Sequence, residues 1–127
     1  MAIVVIRKAE LDFLVNNPAG AVGRHLARKG NELTMAAKAQ VGVRSGALRA
    51  SIHMRHMRDS RGQFVRVGSQ LHYALLHHEG SKPHTIAAKS GQMLRFTKGS
   101  KIIFAHSVMH PGTKANKYLS DNLGIVK

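Results

Sequence analysis

The residues of this chain that could carry out chemistry are its nine histidines and six acidic side chains. The densest group is His72, His77 and His78, followed by Glu79 and His84. A helical metal site needs two histidines four residues apart, whereas His72 and His77 are five apart. Neighbouring His77 and His78 would point about 100° apart on a helix. The spacing therefore predicts no metal site, although Glu79 and His84 could still converge through a loop, and a histidine-dependent metalloenzyme stays a minority alternative.

Other catalytic arrangements have even less support. Paired-carboxylate and magnesium chemistry need clustered acids, and only Glu10 and Asp12 lie close in sequence, beside Arg7 and Lys8. The chain has no cysteine and no G-x-S-x-G nucleophile elbow. Its Gly-Ser-Lys and Gly-Thr-Lys segments lack the upstream glycine of a phosphate-binding loop. We therefore predict a non-enzymatic protein with no catalytic residue, no cofactor and no metal.

Positive charge is the most unusual feature of the composition. Lys and Arg number 20 against 6 Asp and Glu, which gives a formal charge of +14, divided equally between the two halves of the chain. A uniformly basic domain typically faces nucleic acid or an acidic protein surface. No zinc finger, basic zipper or RNP motif is present, so any contact with nucleic acid would be independent of base sequence. The candidate interface residues are Arg55, Arg58, Arg61, Arg66, Lys82 and Lys89, although strand alternation would separate Arg55 from Arg58.

The elements that would position these residues begin with an amphipathic helix from Asn17-Pro18 to about Gln40. Gly30 lies inside it at a cost of about 1 kcal/mol relative to Ala, so a break is conceivable there. Ala2–Ile6 is predicted to be a short strand or an extended arm. The apolar face of the long helix is predicted to carry Ala19, Val22, Leu26, Leu33 and Ala37.

Two hairpins are predicted after this helix. The fold class predicted is α+β, with the long amphipathic helix packed on an antiparallel sheet of about four strands and short additional helices, in a single domain over residues 1–127. The hairpins are expected at Ser51–Arg58 with Gln63–Ser69 and at Met93–Thr97 with Lys101–Val108, with a polar loop over Ser81–Gln92 and a last helix capped by Thr113. The expected core residues are Leu48, Ile52, Tyr73, Leu119 and Leu123.

Three segments, in this order and spacing, resemble the neck or tail-completion proteins that join head to tail in long-tailed bacteriophages. They are Val43–Ile52, Tyr73-Ala74 with Glu79–Ser81, and His110–Asn116 followed by Tyr118-Leu119, and the resemblance covers residues 18–123. Family members often have Thr where Ser45 stands and Pro-Phe-Leu where this chain has Lys117-Tyr118-Leu119. The residues that carry the resemblance are Ser45, Gly46, Leu48, Ser51, Tyr73, Ala74, Glu79, Gly80, His110, Pro111, Gly112, Thr113 and Leu119.

The resemblance implies a virion structural protein without catalytic activity, made in the host cytoplasm and located in the neck. It implies a homo-oligomeric ring, commonly of six copies, with the adjacent connector and tail proteins as partners, DNA in the central channel and no membrane. Tail completion is not separated by the sequence from the neighbouring roles of stopper and tail terminator. The alternative is a free basic nucleic-acid-binding protein that contacts the phosphate backbone without sequence specificity.

Overall fold

The computed structural model describes every residue from Met1 to Lys127, and these form two compact units. The first unit comprises Met1–Ala74 and Lys117–Lys127, and the second comprises Leu75–Asn116. The predicted α+β class is confirmed. The elements in chain order are α1 (Lys8–Asn16), α2 (Ala21–Gln40), α3 (Ala47–Ser51), β1 (His53–Asp59), β2 (Gly62–Gly68), α4 (Ala74–Glu79), β3 (His84–Ala87), β4 (Leu94–Lys98), β5 (Lys101–Ala105), β6 (Ser107–His110) and a 3₁₀ helix (Ser120–Val126).

Helix α2 is the long helix expected from the sequence. It ends at Gln40 as predicted but begins at Ala21, with Gly20 as its N-cap. Asn17 instead forms a local turn in which its Oδ1 accepts from the Ala19 N–H at 2.9 Å. The buried positions of α2 are Gly23, Gly30, Leu33 and Ala37, and Val22 of the predicted apolar face is exposed. No helix of the structure has the length and apolar composition needed to cross a bilayer.

Gly30 does not break the helix, because it is the point at which the first hairpin approaches. A Cβ added to Gly30 would lie 2.7 Å from Met54 Cγ on β1 and 3.2 Å from Val65 Cγ2 on β2. The absence of a side chain therefore lets the β1–β2 hairpin pack directly on the helix backbone.

The core of the first unit forms where the end of α2 meets α3 and the closing segment. Leu48 and Ile52 are buried there as predicted, whereas Tyr73 and Leu119 are partly buried against the cluster. Leu123 was expected in the core, but 51% of it is exposed, and the prediction was wrong. The buried cluster consists of Ala37, Val41, Leu48, Ile52, Ala74 and Tyr118.

The closing segment explains the error at Leu123. No α-helix begins at Thr113, because the backbone of Thr113 pairs instead with Ser81 as an isolated antiparallel bridge. The helical residues begin at Ser120 and form a 3₁₀ helix, which has about 3 residues per turn and turns different side chains inward. Tyr118 is the residue of this segment that the core encloses.

The strands form three separate two-stranded antiparallel sheets rather than one sheet of four. Both predicted hairpins are present, as β1–β2 and β4–β5. In the second unit, β3 pairs with β6, so part of the predicted polar loop Ser81–Gln92 is a strand. Its residues are all exposed, and the partner strand that defines β3 lies twenty residues further along the chain, out of reach of local sequence patterns.

Candidate interaction surfaces

The β1–β2 hairpin has one face toward α2 and one face toward solvent, and its register decides which arginines share a face. Arg55 is the cross-strand partner of Arg66, and Met57 is the partner of Phe64. Met54 and Val65 belong to the alternate positions that pack against α2. Arg55 and Arg66 are therefore neighbours on the outer face, and both are exposed.

This outer face (Arg55, Arg66, Met57 and Phe64) presents two cations that no acid neutralises. Neither guanidinium makes an ion pair, and like charges placed directly opposite each other destabilise a hairpin. The Arg66 guanidinium carbon lies 5.9 Å from the centroid of the Phe64 ring, within the range of a cation–π contact. A planar guanidinium can donate two hydrogen bonds to a carboxylate or phosphate. The outer face is thus suited to an anionic partner.

Arg58 and Arg61 are placed differently. Arg58 pairs with Gln63 on the opposite face of the hairpin from Arg55, as strand alternation predicts. Arg61 lies in the turn, where its backbone N–H donates to Asp59 Oδ1 at 2.8 Å and its guanidinium lies 3.4 Å from Oδ2. Asp59 thus already offsets part of the Arg61 charge, although the pair is exposed and weak.

Lys82 and Lys89 belong to the second unit, whereas the four arginines belong to the first. Lys82 precedes β3, and its carbonyl oxygen lies 2.9 Å from His84 Nδ1. Lys89 follows β3, and its carbonyl accepts from the Gln92 N–H at 2.9 Å. Both side chains are exposed. The six predicted interface residues therefore do not form one patch within either unit.

The first motif segment is a structural joint of the first unit. Gly46 has φ 82°, in the left-handed region that glycine favours, and is the N-cap of α3. Ser45 Oγ accepts from the Ala47 N–H at 3.4 Å. Ser51 Oγ donates to the Leu48 carbonyl at 2.7 Å and lies 2.6 Å from Ser69 Oγ. These contacts hold Leu48 in the core.

Parts of the second and third motif segments, Glu79–Ser81 and His110–Asn116, meet in the second unit. Ser81 and Thr113 exchange backbone hydrogen bonds of 2.9 and 3.0 Å, and the Thr113 N–H also lies 3.0 Å from Ser81 Oγ. Gly80 and Gly112 flank this bridge with φ 78° and 86°. A Cβ on Gly112 would collide with the Ser81 carbonyl oxygen, and one on Gly80 would lie 2.6 Å from the Thr113 oxygen. The motif glycines therefore permit a close backbone crossing.

The histidines are not gathered into a metal site in the structure: no three His, Asp or Glu side chains lie close enough to hold one ion. His78 Nδ1 lies 2.5 Å from Glu79 Oε1. Local sequence patterns missed the pairing of His84 with His110, which are cross-strand partners with ring centroids 5.0 Å apart. His110 Nδ1 accepts from the Gly112 N–H at 3.1 Å, which ties this motif histidine to the backbone turn. Recognising β3 as a strand would have revealed the pair.

Apolar residues remain exposed in both units. In the first unit, Ile3–Ile6 and the α1 residues Leu11, Phe13 and Leu14 are exposed. An apolar groove of about 390 Å³ lies between α2, β2 and the 3₁₀ helix, with Lys29 at its rim donating to the Ile125 carbonyl at 3.1 Å. The second unit exposes large apolar side chains at Leu75, Leu76, Ile86, Met93, Ile102, Phe104 and Met109.

The chain was compared with models of protein families, with curated proteins and with solved structures, and none matched. Its function is therefore inferred from its own residues.

Proposed function

We propose that this protein is a non-enzymatic structural subunit that assembles with copies of itself into a ring at the head–tail junction of a long-tailed bacteriophage. In this role it joins the connector to the tail along the path by which DNA leaves the head. The observation that carries the self-assembly is the contrast between a small buried core and a large exposed apolar surface.

The core contains only seven buried hydrophobic residues in a chain of 127. Large apolar side chains are exposed in both units, for example Phe13 at 49% in the first and Phe104 at 58% in the second. So many exposed large apolar side chains beside so small a core suggest surface that is covered by a partner. A subunit that buries this surface against its neighbours accounts for both facts.

The roles of the motif residues support a structural function. Gly46, Gly80 and Gly112 supply left-handed turns, and Leu48 fills the core. Ser81 and Thr113 join two segments through backbone hydrogen bonds. Each of these contributions is to chain geometry. The segments resembling neck proteins thus act as joints, as expected for a scaffold subunit.

The main role that we assign to the positive charge is to bind an acidic surface of an adjoining protein. The outer face of the β1–β2 hairpin offers Arg55 and Arg66 side by side, which suits carboxylates or phosphates equally. A channel wall that bound DNA tightly would slow its exit, so a protein neighbour is favoured as the main partner, with DNA as a second one.

Assembly is tested on the purified full-length chain by mass photometry and negative-stain electron microscopy. We expect closed rings, and we expect phage lacking the protein to accumulate separate heads and tails. A chain that stays monomeric at every concentration contradicts the proposal.

The role of the outer face is tested in particles carrying Arg55→Gln and Arg66→Gln together. The matched control is Arg24→Gln with Arg28→Gln, which removes two exposed charges from α2 instead. Both variants should fold, because exposed charges contribute little to stability. Only the hairpin variant should leave heads and tails unjoined. Normal joining in both variants would show that the outer face contacts only solvent.

The second candidate function, a free nucleic-acid-binding protein, is favoured by the Arg55, Arg66 and Phe64 side chains on one exposed face. In that case a monomer would bind duplex DNA tightly at low salt. Its affinity would fall with a log–log slope of about −0.9 per phosphate contacted. The same Arg55→Gln/Arg66→Gln variant would reduce that slope by about 1.8, whereas a structural subunit would assemble without DNA.

A further inference from the structure

The β4–β5 hairpin of the second unit presents one of its two faces to solvent. In its register Arg95 lies opposite Phe104, and Thr97 lies opposite Ile102. Residues directly opposite each other share a face, so these four side chains lie together. All four are exposed, whereas the residues of the other face along the body of the hairpin are half-buried: Leu94, Phe96, Ile103 and Ala105. We call the four residues Arg95, Thr97, Ile102 and Phe104 the exposed face of β4–β5.

Phe104 is the most exposed aromatic residue of the chain. It is 58% exposed, against 49% for Phe13, and the other phenylalanines and both tyrosines are buried or half-buried. The Phe64 ring of the first hairpin already has the Arg66 guanidinium 5.9 Å from its centroid. An exposed aromatic ring on a strand face is a surface on which an unpaired base stacks. Phe104 therefore offers a stacking platform beside a cation, Arg95.

The cations near this ring are not offset by acids. Lys98 and Lys101 are cross-strand partners at the tip of the hairpin, and neither they nor Arg95 take part in an ion pair. No Asp or Glu occurs between Glu79 and Asp121. Like charges directly opposite each other destabilise a hairpin. The Lys98–Lys101 pair thus carries a cost in the free protein that a bound anion would remove.

The combination of an exposed ring and unpaired cations favours one kind of polyanion. Carboxylates of an acidic protein would satisfy the cations but would supply no flat ring to lie on Phe104. The bases of a duplex are stacked on one another, so their faces are not available to Phe104. A single strand offers unpaired bases together with phosphates, and it binds to proteins through aromatic stacking and positive charge.

We propose that the exposed face of β4–β5, with the two lysines at its tip, binds single-stranded nucleic acid without sequence specificity. Phe104 stacks on a base, and Arg95, Lys98 and Lys101 bind phosphates of the same strand. All of these residues lie within the second unit, apart from the Arg55–Arg66 pair of the first unit. The inference goes beyond the proposed function and does not depend on the ring.

Stacking is tested by fluorescence anisotropy of the full-length chain with a labelled strand of about twelve deoxythymidines, a length within the usual range of single-strand sites. Phe104→Leu should weaken binding by about tenfold, because it keeps an apolar side chain but removes the ring. Phe104→Tyr keeps the ring and should bind like the wild type. The matched control is Phe13→Leu, the same change at an exposed phenylalanine of the first unit, which should not alter binding.

The charge is tested with Lys98→Gln/Lys101→Gln. Two lost phosphate contacts should reduce the log–log slope of affinity against salt by about 1.4. The matched control, Lys82→Gln/Lys89→Gln, removes the same charge from the same unit and should leave the slope unchanged. Loss of the opposed lysines should not harm the fold, because their repulsion is removed with them.

A duplex of the same length shows whether the site takes an unpaired strand. Phe104→Leu should leave the affinity for the duplex unchanged, because the duplex has no free base to stack on the ring. An equal loss for duplex and single strand would overturn the inference. So would equal binding of the single strand by the Phe104→Leu and wild-type proteins, or equal salt slopes for the two lysine variants.

The same measurements separate this inference from the proposed function. Rings that form normally from a chain that binds no oligodeoxythymidine overturn the inference and leave the proposed function intact. A monomer that binds the strand through Phe104 supports the inference and contradicts the ring. If Lys98→Gln/Lys101→Gln leaves heads and tails unjoined while strand binding is unchanged, the hairpin binds an acidic protein and the inference is wrong.

Discussion

At the scale of single residues, Gly30 is a helix position at which close packing, rather than helix propensity, favours glycine. An alanine in the middle of a helix is normally favoured over glycine by about 1 kcal/mol. At Gly30 the added Cβ would lie 2.7 Å from Met54 Cγ, and overpacking of this kind costs about 1–3 kcal/mol. We therefore expect Gly30→Ala to lower the free energy of unfolding, measured by urea denaturation.

The control for Gly30→Ala is Asn31→Ala, at the next position of the same helix. Asn31 is exposed, so its replacement should be neutral or slightly stabilising. A Gly30→Ala protein as stable as the Asn31→Ala protein would show that the hairpin does not pack as closely as described.

Tyr118 gives the chain an expected dependence of stability on pH. Burial raises the pKa of Tyr118, because the phenolate is costly to form away from water. The neutral phenol is therefore favoured in the folded state, and its contribution is complete below the ordinary pKa of about 10. That contribution is lost as the pH rises through the higher pKa of the folded protein. The melting temperature should therefore fall as the pH rises above about 10, where the tyrosine of the unfolded chain ionises before that of the folded protein.

Tyr118→Phe should reduce this alkaline loss, since phenylalanine has no ionisable group. Tyr73→Phe is the matched control, because Tyr73 is only partly buried beside the same core, and its alkaline loss should match that of the wild type. Equal pH profiles for the Tyr118→Phe and wild-type proteins would contradict the expectation.

Individual positions were predictable from the sequence where local periodicity decides burial. Leu48 and Ile52 are buried as expected. Each is an apolar residue close to a turn that the sequence itself reveals. Gly30 was predicted as a weak point and is instead a close contact, which depends on a hairpin more than twenty residues away. Leu123 was misplaced, because its exposure depends on the type of helix that closes the chain.

At the scale of elements, the crossing between Ser81 and Thr113 is the joint on which the second unit depends. Gly112 and Gly91 both have left-handed φ values, 86° and 75°. Nothing lies within 4 Å of a Cβ built on Gly91, whereas one on Gly112 collides with the Ser81 carbonyl oxygen. Gly91→Ala should cost only the left-handed penalty of about 1–2 kcal/mol, and Gly112→Ala should cost more.

The two glycine variants are compared by hydrogen exchange at the Thr113 amide, which donates to Ser81. Gly112→Ala should accelerate exchange there much more than Gly91→Ala does. Similar exchange in both variants would mean that the crossing is not the joint described.

The elements that periodicity could predict are those stabilised by neighbours in sequence. Helix α2 and the hairpins β1–β2 and β4–β5 were located within a few residues of their observed bounds. The β3–β6 pairing was missed, since it joins His84 to His110 across an intervening hairpin. A separate long-range bridge, between Ser81 and Thr113, takes the place of the predicted last helix.

At the scale of the whole molecule, composition predicted the sign of the charge but not its arrangement. Arg55 and Arg66 are side by side only because the hairpin register pairs them. Lys82 and Lys89 lie in a different unit. Assigning these residues to one interface therefore required knowledge of the pairing and of the division into units, which no local pattern contains.

Each copy carries a charge of +14. The proposed self-association should therefore depend on salt concentration in the opposite direction from binding to nucleic acid. Copies of this chain repel one another at low ionic strength, while the surface they would bury is largely apolar. Raising the salt from 0.01 M to about 0.15 M shortens the Debye length from about 30 Å to about 8 Å. We therefore expect self-association to strengthen over this range.

Binding to nucleic acid would respond in the opposite direction, since released counterions make its affinity fall steeply with salt. Sedimentation velocity of the full-length chain in low and moderate chloride, with and without duplex DNA, measures both responses in one series. An oligomer that grows with salt in the absence of DNA fits a structural subunit. A monomer whose DNA complexes dissociate as the salt concentration rises fits the nucleic-acid-binding alternative and contradicts the proposed ring. The range ends at moderate salt because general salting-out at higher concentrations would strengthen association of any protein with exposed apolar surface.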